Sequence, residues 1–195
     1  TRYETLFPYT TLFRSILGVI WSAHFQDLCA AFGMENAFIQ MYQAPEMVLA
    51  VGKRITDFYL KANEIFLEAT KGKLHAVLIG NDYAGQNGLL LSPELLGKFA
   101  LPDARKLVQQ AKSYGVKVIY HCCGSARDMI PDLIDIGIDA LHPIQALAAG
   151  MEPEDLKANF GDRLSFVGGV DAQNLMVNGT PDQVRQKVLQ LKKIF

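Results

Sequence analysis

The sequence predicts an α/β fold: a partial (β/α)8 barrel whose active site lies at the C-terminal ends of its strands. Three observations carry that expectation. Short apolar runs alternate with capped helices, the pattern of βαβ units around a parallel sheet. No run is followed by a glycine-rich dinucleotide fingerprint, which weakens the nucleotide-binding open sheet as the alternative architecture. The runs end instead in polar residues able to do chemistry, as barrel strands do at their C-terminal mouth.

The elements follow in order. Leu6–Ser15 (LFPYTTLFRS) resembles the translation of a sequencing-library adapter, and it has no sustained period and no caps. Thr1–Ser15 is therefore set apart as a non-native segment, and 16–195 as the barrel domain. Ile16–Ile20 is a candidate first strand. Ala23–Ala31 reads as a helix stopped by Gly33, and Glu35–Gln43 as a short second one. Pro45 opens a long helix with Pro at its first position and Glu46 in its first turn. Its apolar stripe is Val48, Val51, Ile55, Phe58, Ala62 and Ile65. Leu74–Gly80 is a nearly continuous apolar run, suited to a strand buried on both faces.

Asn81–Gly88 is a polar loop, and Ser92-Pro93 caps the next helix. A helix over Asp103–Ser113 ends at Gly115. Val116–Tyr120 is a strand with His121–Gly124 as its exit. Ala126–Ile136 is a helix in which Pro131 marks either a kink or the true start. Ala140–Ile144 and Leu164–Val167 are strands flanking a helix over Glu152–Asn159. Thr180 and Gln183 form a capping box for a last helix running to Phe195.

A complete barrel takes roughly 250 residues, and this chain has 195. The C-terminal strands are expected to be present, with the N-terminal part and the last β/α unit missing. The formal net charge is −1, and no basic run exceeds Lys192-Lys193, which argues against nucleic acid as a partner. No apolar run reaches the roughly 18 residues of a membrane span. Three cysteines, two of them adjacent, make a poor disulfide framework. These features point to a cytoplasmic protein with a small-molecule substrate.

His121-Cys122-Cys123-Gly124 is the sharpest local signal. Imidazole and thiol two residues apart on an extended strand exit face the same side, and both ligate zinc well. A packed strand end accounts for the pair equally well. Asn81, Asp82 and Tyr83 at an earlier exit offer a substrate anchor, a carboxylate and a phenol; an Asx turn is the structural alternative. Gly168 and Gly169 allow close backbone approach to a ligand, with Asp171 facing the mouth, or they simply serve a tight βα turn. His142, Gln145 and Gln86 are candidates to line the cavity, and a satisfied core histidine is the structural alternative for His142. Cys29 reads as a small core residue. Trp21, His24 and His75 read as packing.

Taken together these segments resemble the uroporphyrinogen decarboxylase superfamily. The residues that carry the resemblance are Phe32–Asn36, Asn81–Gln86 with Leu91–Glu94, and Gly115–Val118 leading to His121–Gly124. They continue through Ile136–Gln145, Gly150–Pro153, Phe160–Arg163, Gly168–Asp171 and Gly179–Pro181. The resemblance implies a (β/α)8 barrel with its site at the C-terminal mouth, and two activities. Its zinc-dependent methyltransferases act with a methyl-corrinoid protein and carry H-x-C at this strand, with a third ligand near the last strand. By that resemblance His121 and Cys123 would hold Zn²⁺, a corrinoid would donate the methyl group, and a thiol would receive it. Asp82, Tyr83 and Asp171 would be the catalytic residues, and Asn81, Gln86, His142, Gln145, Gly168 and Gly169 would bind substrate.

The third metal ligand is expected beyond Phe195. The alternative activity is cofactor-free tetrapyrrole decarboxylation in porphyrin biosynthesis, in which Cys123 would be dispensable. A further alternative is an inactive fragment, because a half barrel exposes strand edges and would be unstable alone.

Overall fold

The computed structural model describes residues 15–195. The adapter-like stretch, Ser15 aside, lies outside the described residues. Five parallel strands form one open sheet in the order β1 (Leu17–Val19), β2 (Ala76–Gly80), β5 (Lys117–His121), β6 (Ala140–Ile144) and β7 (Ser165–Gly168). Each strand pairs with the next one of the sheet in the chain, so the connections must cross over, and helices do so. The helices are α1 (His24–Phe32), α2 (Met34–Gln43), α3 (Pro45–Ala69), α4 (Pro93–Phe99), α5 (Leu101–Ser113), α6 (Ile130–Ile136), α7 (Pro153–Phe160), α8 (Leu175–Asn178) and α9 (Pro181–Ile194).

Local chemistry explains most of the boundaries. The Ser92 hydroxyl accepts from the Leu95 N–H at the start of α4. Thr180 and Gln183 close a reciprocal capping box on α9, satisfying two otherwise orphaned donors. Gly137 ends α6 in the left-handed conformation at φ 102°. Pro131 stands in the first turn of α6, preceded by a single 3-10 turn over Arg127–Met129, so it marks the start and not a kink.

The core lies between sheet and helices. Val77, Ile79, Val118, Tyr120 and Leu141 are fully buried there. Alternation along the strands then sends Leu78, Gly80, Ile119 and His121 to the opposite face, the one a closed barrel turns inward. The register aligns them, pairing Leu78 with Ile119, Gly80 with His121, and His121 with His142.

Two expectations change. The buried side of α3 is Val48, Gly52, Thr56, Asn63 and Leu67, whereas Phe58 and Ile65 are 66% and 74% exposed. Val48 is fully buried, Val51 and Ile55 pack partly buried against the core, and Asn63 meets Ser22 in the core through a 2.9 Å hydrogen bond. The first half of the expected stripe packs on the core, and toward the C-terminal end the polar contact of Asn63 takes the place of Phe58 and Ile65. Asn81–Gly88 is also not a plain loop. It contains half of a small antiparallel hairpin, β3 (Ala84–Gly85) with β4 (Gly88–Leu89). Among the described residues no helix is long and apolar enough to cross a membrane.

Candidate metal centre at the strand exits

His121 is the last residue of β5, not the first of its exit. Its ring leaves the sheet on the inward face because Tyr120, its neighbour, is buried on the helix side. Gly80 opposite makes room for it. A Cβ there would lie 2.7 Å from the His121 Cβ and 3.1 Å from the Trp21 ring. Trp21 packs against the imidazole with ring centroids 4.7 Å apart.

Three donor groups converge there. Asp82, His121 and Cys123 each offer one ligand atom, and these atoms all lie within 4.8 Å of one another. Cys123 Sγ is 3.2 Å from His121 Nε2, and that nitrogen is 3.5 Å from Asp82 Oδ1. The carboxylate is itself fixed. Its Oδ1 accepts the Cys123 backbone N–H at 2.8 Å, and its Oδ2 accepts the Gln26 amide at 2.9 Å. Its pKa is held below the usual carboxylate range, chiefly by the His121 imidazole that faces it, against burial that pushes the other way.

The Cys123 thiol is pushed up to about 11, first by burial and then by the neighbouring Asp82 charge. Left to itself the sulfur therefore keeps its proton at neutral pH. Cys122 points into the core and rises to about 12 by burial, so of the adjacent pair only Cys123 belongs to the cluster. The turn after Cys123 requires glycine. Gly124 has φ 80°, and a Cβ there would lie 2.4 Å from the Gly85 carbonyl oxygen.

His142 reaches the cluster from β6. Its Nδ1 lies 3.0 Å from His121 Nδ1. Burial, and then the His121 charge, lower its pKa. Three glutamines from three strand exits form a chain beside it. Gln145 Oε1 accepts from Gln86 Nε2 at 2.8 Å and from the Gly124 N–H at 3.0 Å. Gln173 Nε2 donates to Gln86 Oε1 at 3.2 Å. Gln145, Gly168, Gly169 and Asp171 line a cavity of about 190 Å³ with Pro143 and Leu147.

Other expected site residues stand elsewhere. Asn81 is fully buried. Its Oδ1 accepts the Phe25 N–H at 2.8 Å at the start of α1, and its amide contacts His24 Nδ1 at 3.0 Å. Tyr83 is also fully buried, with its hydroxyl 2.6 Å from that of Tyr120 and its ring edge-on to Phe25. Neither faces the mouth. Strand alternation explains the split: Asn81 and Tyr83 turn toward the helices, and Asp82 between them turns inward.

Asp171 borders the cavity, but its carboxylate accepts the N–H groups of Asn174, Gln173 and Leu175, and those bonds, Asn174's first, hold its pKa low. The two glycines of the cavity wall are also tightly packed. A Cβ at Gly168 would lie 2.7 Å from the Ile144 nitrogen, and one at Gly169 would lie 3.0 Å from the Leu191 side chain.

Sequence reasoning passed over Trp21 and Gln26, and it assigned Asp82 no place beside the cysteine. A Trp just ahead of a helix, five residues from a Gln, carries no signal until β1 is laid beside β2. A third donor was expected beyond Phe195, yet Asp82 brings a carboxylate to the pair from within the described residues.

The family model described as uroporphyrinogen decarboxylase (URO-D) matches residues 17–193. A methylated-thiol–coenzyme M methyltransferase of Methanosarcina mazei is 29% identical over 156 residues, covering 78% of this chain and 38% of that protein. A methylcobamide:CoM methyltransferase of the same organism is 28% identical over 97 residues, covering 49% of this chain and 26% of that protein. The chain thus spans well under two thirds of the length of both relatives. A solved methyltransferase from Methanosarcina mazei superposes with a TM-score of 0.73 at 15% identity, over 92% of this chain and 50% of that one. At that identity the likeness speaks for the fold.

Proposed function

The chain belongs to the uroporphyrinogen decarboxylase family, and within that family we propose that it serves zinc-dependent methyl transfer from a corrinoid to a thiol. The observation that carries this reading is the convergence of Asp82, His121 and Cys123. A carboxylate, an imidazole and a sulfur are a suitable donor set for zinc, and three protein ligands leave a fourth position for substrate. Tetrahedral zinc with ordinary bond lengths separates such donors by roughly 3.4–3.6 Å. The 3.2 and 3.5 Å spacings of the cluster are close to that. The two curated relatives, both named as methyltransferases, support the same branch.

Zinc, when bound, lowers the pKa of a coordinated substrate thiol and makes thiolate available as a nucleophile near neutral pH. The chain's own residues supply the rest. Asp82, anchored at both oxygens, holds the donor set in place and offsets the cation's charge. Trp21 covers one side of His121 and limits water there. The cavity beside Gln145 accepts the small thiol, with Gln86 bracing Gln145 and Gln173 bracing Gln86. The methyl donor is a corrinoid carried by a partner protein that docks at this mouth.

Incubation with methylcobalamin and a panel of small thiols tests the reading. Zinc-dependent loss of the methylcobalamin spectrum, abolished by Cys123→Ser, is the expected result. A spectrum that stays constant with every thiol, while uroporphyrinogen is decarboxylated at the same rate by wild type and Cys123→Ser, would overturn it.

A further inference from the structure

We propose that His142 is a positioning residue that holds the ring of His121 and fixes which nitrogen carries its proton. This deepens the zinc reading and rests on His121 being a ligand. The parallel ladder builds the pairing. His121 and His142 are directly opposed in the β5–β6 register, and the Cys122 N–H donates to the His142 carbonyl at 2.7 Å. Both side chains consequently leave the sheet on the same face. Their rings meet Nδ1 to Nδ1 at 3.0 Å.

That contact is a hydrogen bond only if one of the two Nδ1 atoms bears hydrogen and the other a lone pair. When His121 donates, its Nε2 is left with a lone pair aimed at the space shared with Cys123 Sγ and Asp82. His142 then accepts at Nδ1 and carries its own hydrogen on Nε2. A metal-binding histidine is commonly oriented in this way by an acceptor on its other nitrogen. Here the acceptor is a second imidazole supplied by the neighbouring strand, so the orientation is set by sheet register and not by a loop. Trp21 closes the ring from another side at 4.7 Å, which leaves His142 as the hydrogen-bonding partner of Nδ1.

Two variants and two readouts test it. His142→Leu removes the acceptor, and His142→Gln keeps one in its side-chain oxygen. Cobalt(II) affinity, measured by competition with a chromophoric chelator, should fall about 10–100-fold in His142→Leu and recover most of the loss in His142→Gln. Imidazole ¹⁵N spectra of the metal-free wild type should show His121 protonated at Nδ1 and His142 protonated at Nε2. Unchanged affinity in His142→Leu, the reverse assignment, or both rings protonated at Nε2, would overturn the proposal. A wild type that takes up no cobalt would overturn the zinc reading instead, and the tautomer pattern would then decide the positioning alone.

Discussion

Asp82 and Cys123 lie 41 residues apart in sequence and are joined by a 2.8 Å hydrogen bond from the cysteine's backbone N–H to the aspartate's Oδ1. The bond ties the exit of β2 to the exit of β5 and places a fixed carboxylate beside the sulfur. It gives Asp82 two separable duties, one structural and one electrostatic.

Those duties predict different outcomes for two substitutions. Asp82→Asn keeps an acceptor for the Cys123 N–H and should lower stability by only about 1 kcal/mol, while zinc affinity falls at least tenfold. Asp82→Ala strands that N–H in a part-buried turn and should cost about 1–3 kcal/mol as well as the metal. Urea unfolding beside a zinc titration separates the two effects. Equal zinc affinity in wild type and Asp82→Asn would remove the carboxylate from the ligand set.

Asn81 and Tyr83 are expected to behave as core residues. Asn81→Ala removes an acceptor from the first turn of α1 and a buried partner of His24, and should cost about 2–4 kcal/mol. Tyr83→Phe leaves the Tyr120 hydroxyl short of a buried partner and should cost about 1–2 kcal/mol. In both variants the folded fraction should bind zinc with wild-type affinity, measured after the folded population is set by denaturant midpoint.

Gly124→Ala should be far more damaging than its size suggests. The new Cβ would meet the Gly85 carbonyl at 2.4 Å in a backbone conformation of φ 80°. Relief requires the hairpin of β3 and β4 to shift, and the loss should be about 2–4 kcal/mol with a parallel loss of metal affinity. Thermal unfolding and a zinc titration of the purified variant check both.

Asp139 sets an acid-sensitive contribution to stability. Burial pushes its carboxyl up, but the bonds from Lys112, Lys117 and the Val118 N–H outweigh burial and hold it below its ordinary value of 3.8. A depressed folded-state pKa contributes stability above the unfolded value and loses it as pH falls through the folded one. The contribution should be complete above about pH 5 and gone below the folded pKa. Asp139→Asn should therefore be less stable by about 1–2 kcal/mol at pH 7, with the gap closing as pH falls below 4. Urea midpoints over that range measure it.

The alternation of β2, β5, β6 and β7 with helices was legible because apolar runs and end signals such as Ser92-Pro93 and Thr180–Gln183 are local. His121 and Cys123 were legible as a pair for the same reason. Whether Asp82 or its neighbours Asn81 and Tyr83 turns inward depends on how β2 leaves the sheet, which local pattern does not specify. Val48, Val51 and Ile55 of the α3 stripe were read correctly, whereas Phe58 and Ile65 were misplaced because Asn63, which adds nothing to an apolar stripe, faces the core there. Trp21 joins the site only through the pairing of β1 with β2, a contact across more than fifty residues.

Metal content bears most directly on the central claim. The protein is purified without added metal, beside Cys123→Ser and His121→Ala, and zinc is measured by mass spectrometry. About one zinc per chain in the wild type, lost in both variants, is the predicted result. Absence of zinc from all three, after the wild type has also been offered excess zinc and desalted, would contradict a metal centre at Asp82, His121 and Cys123.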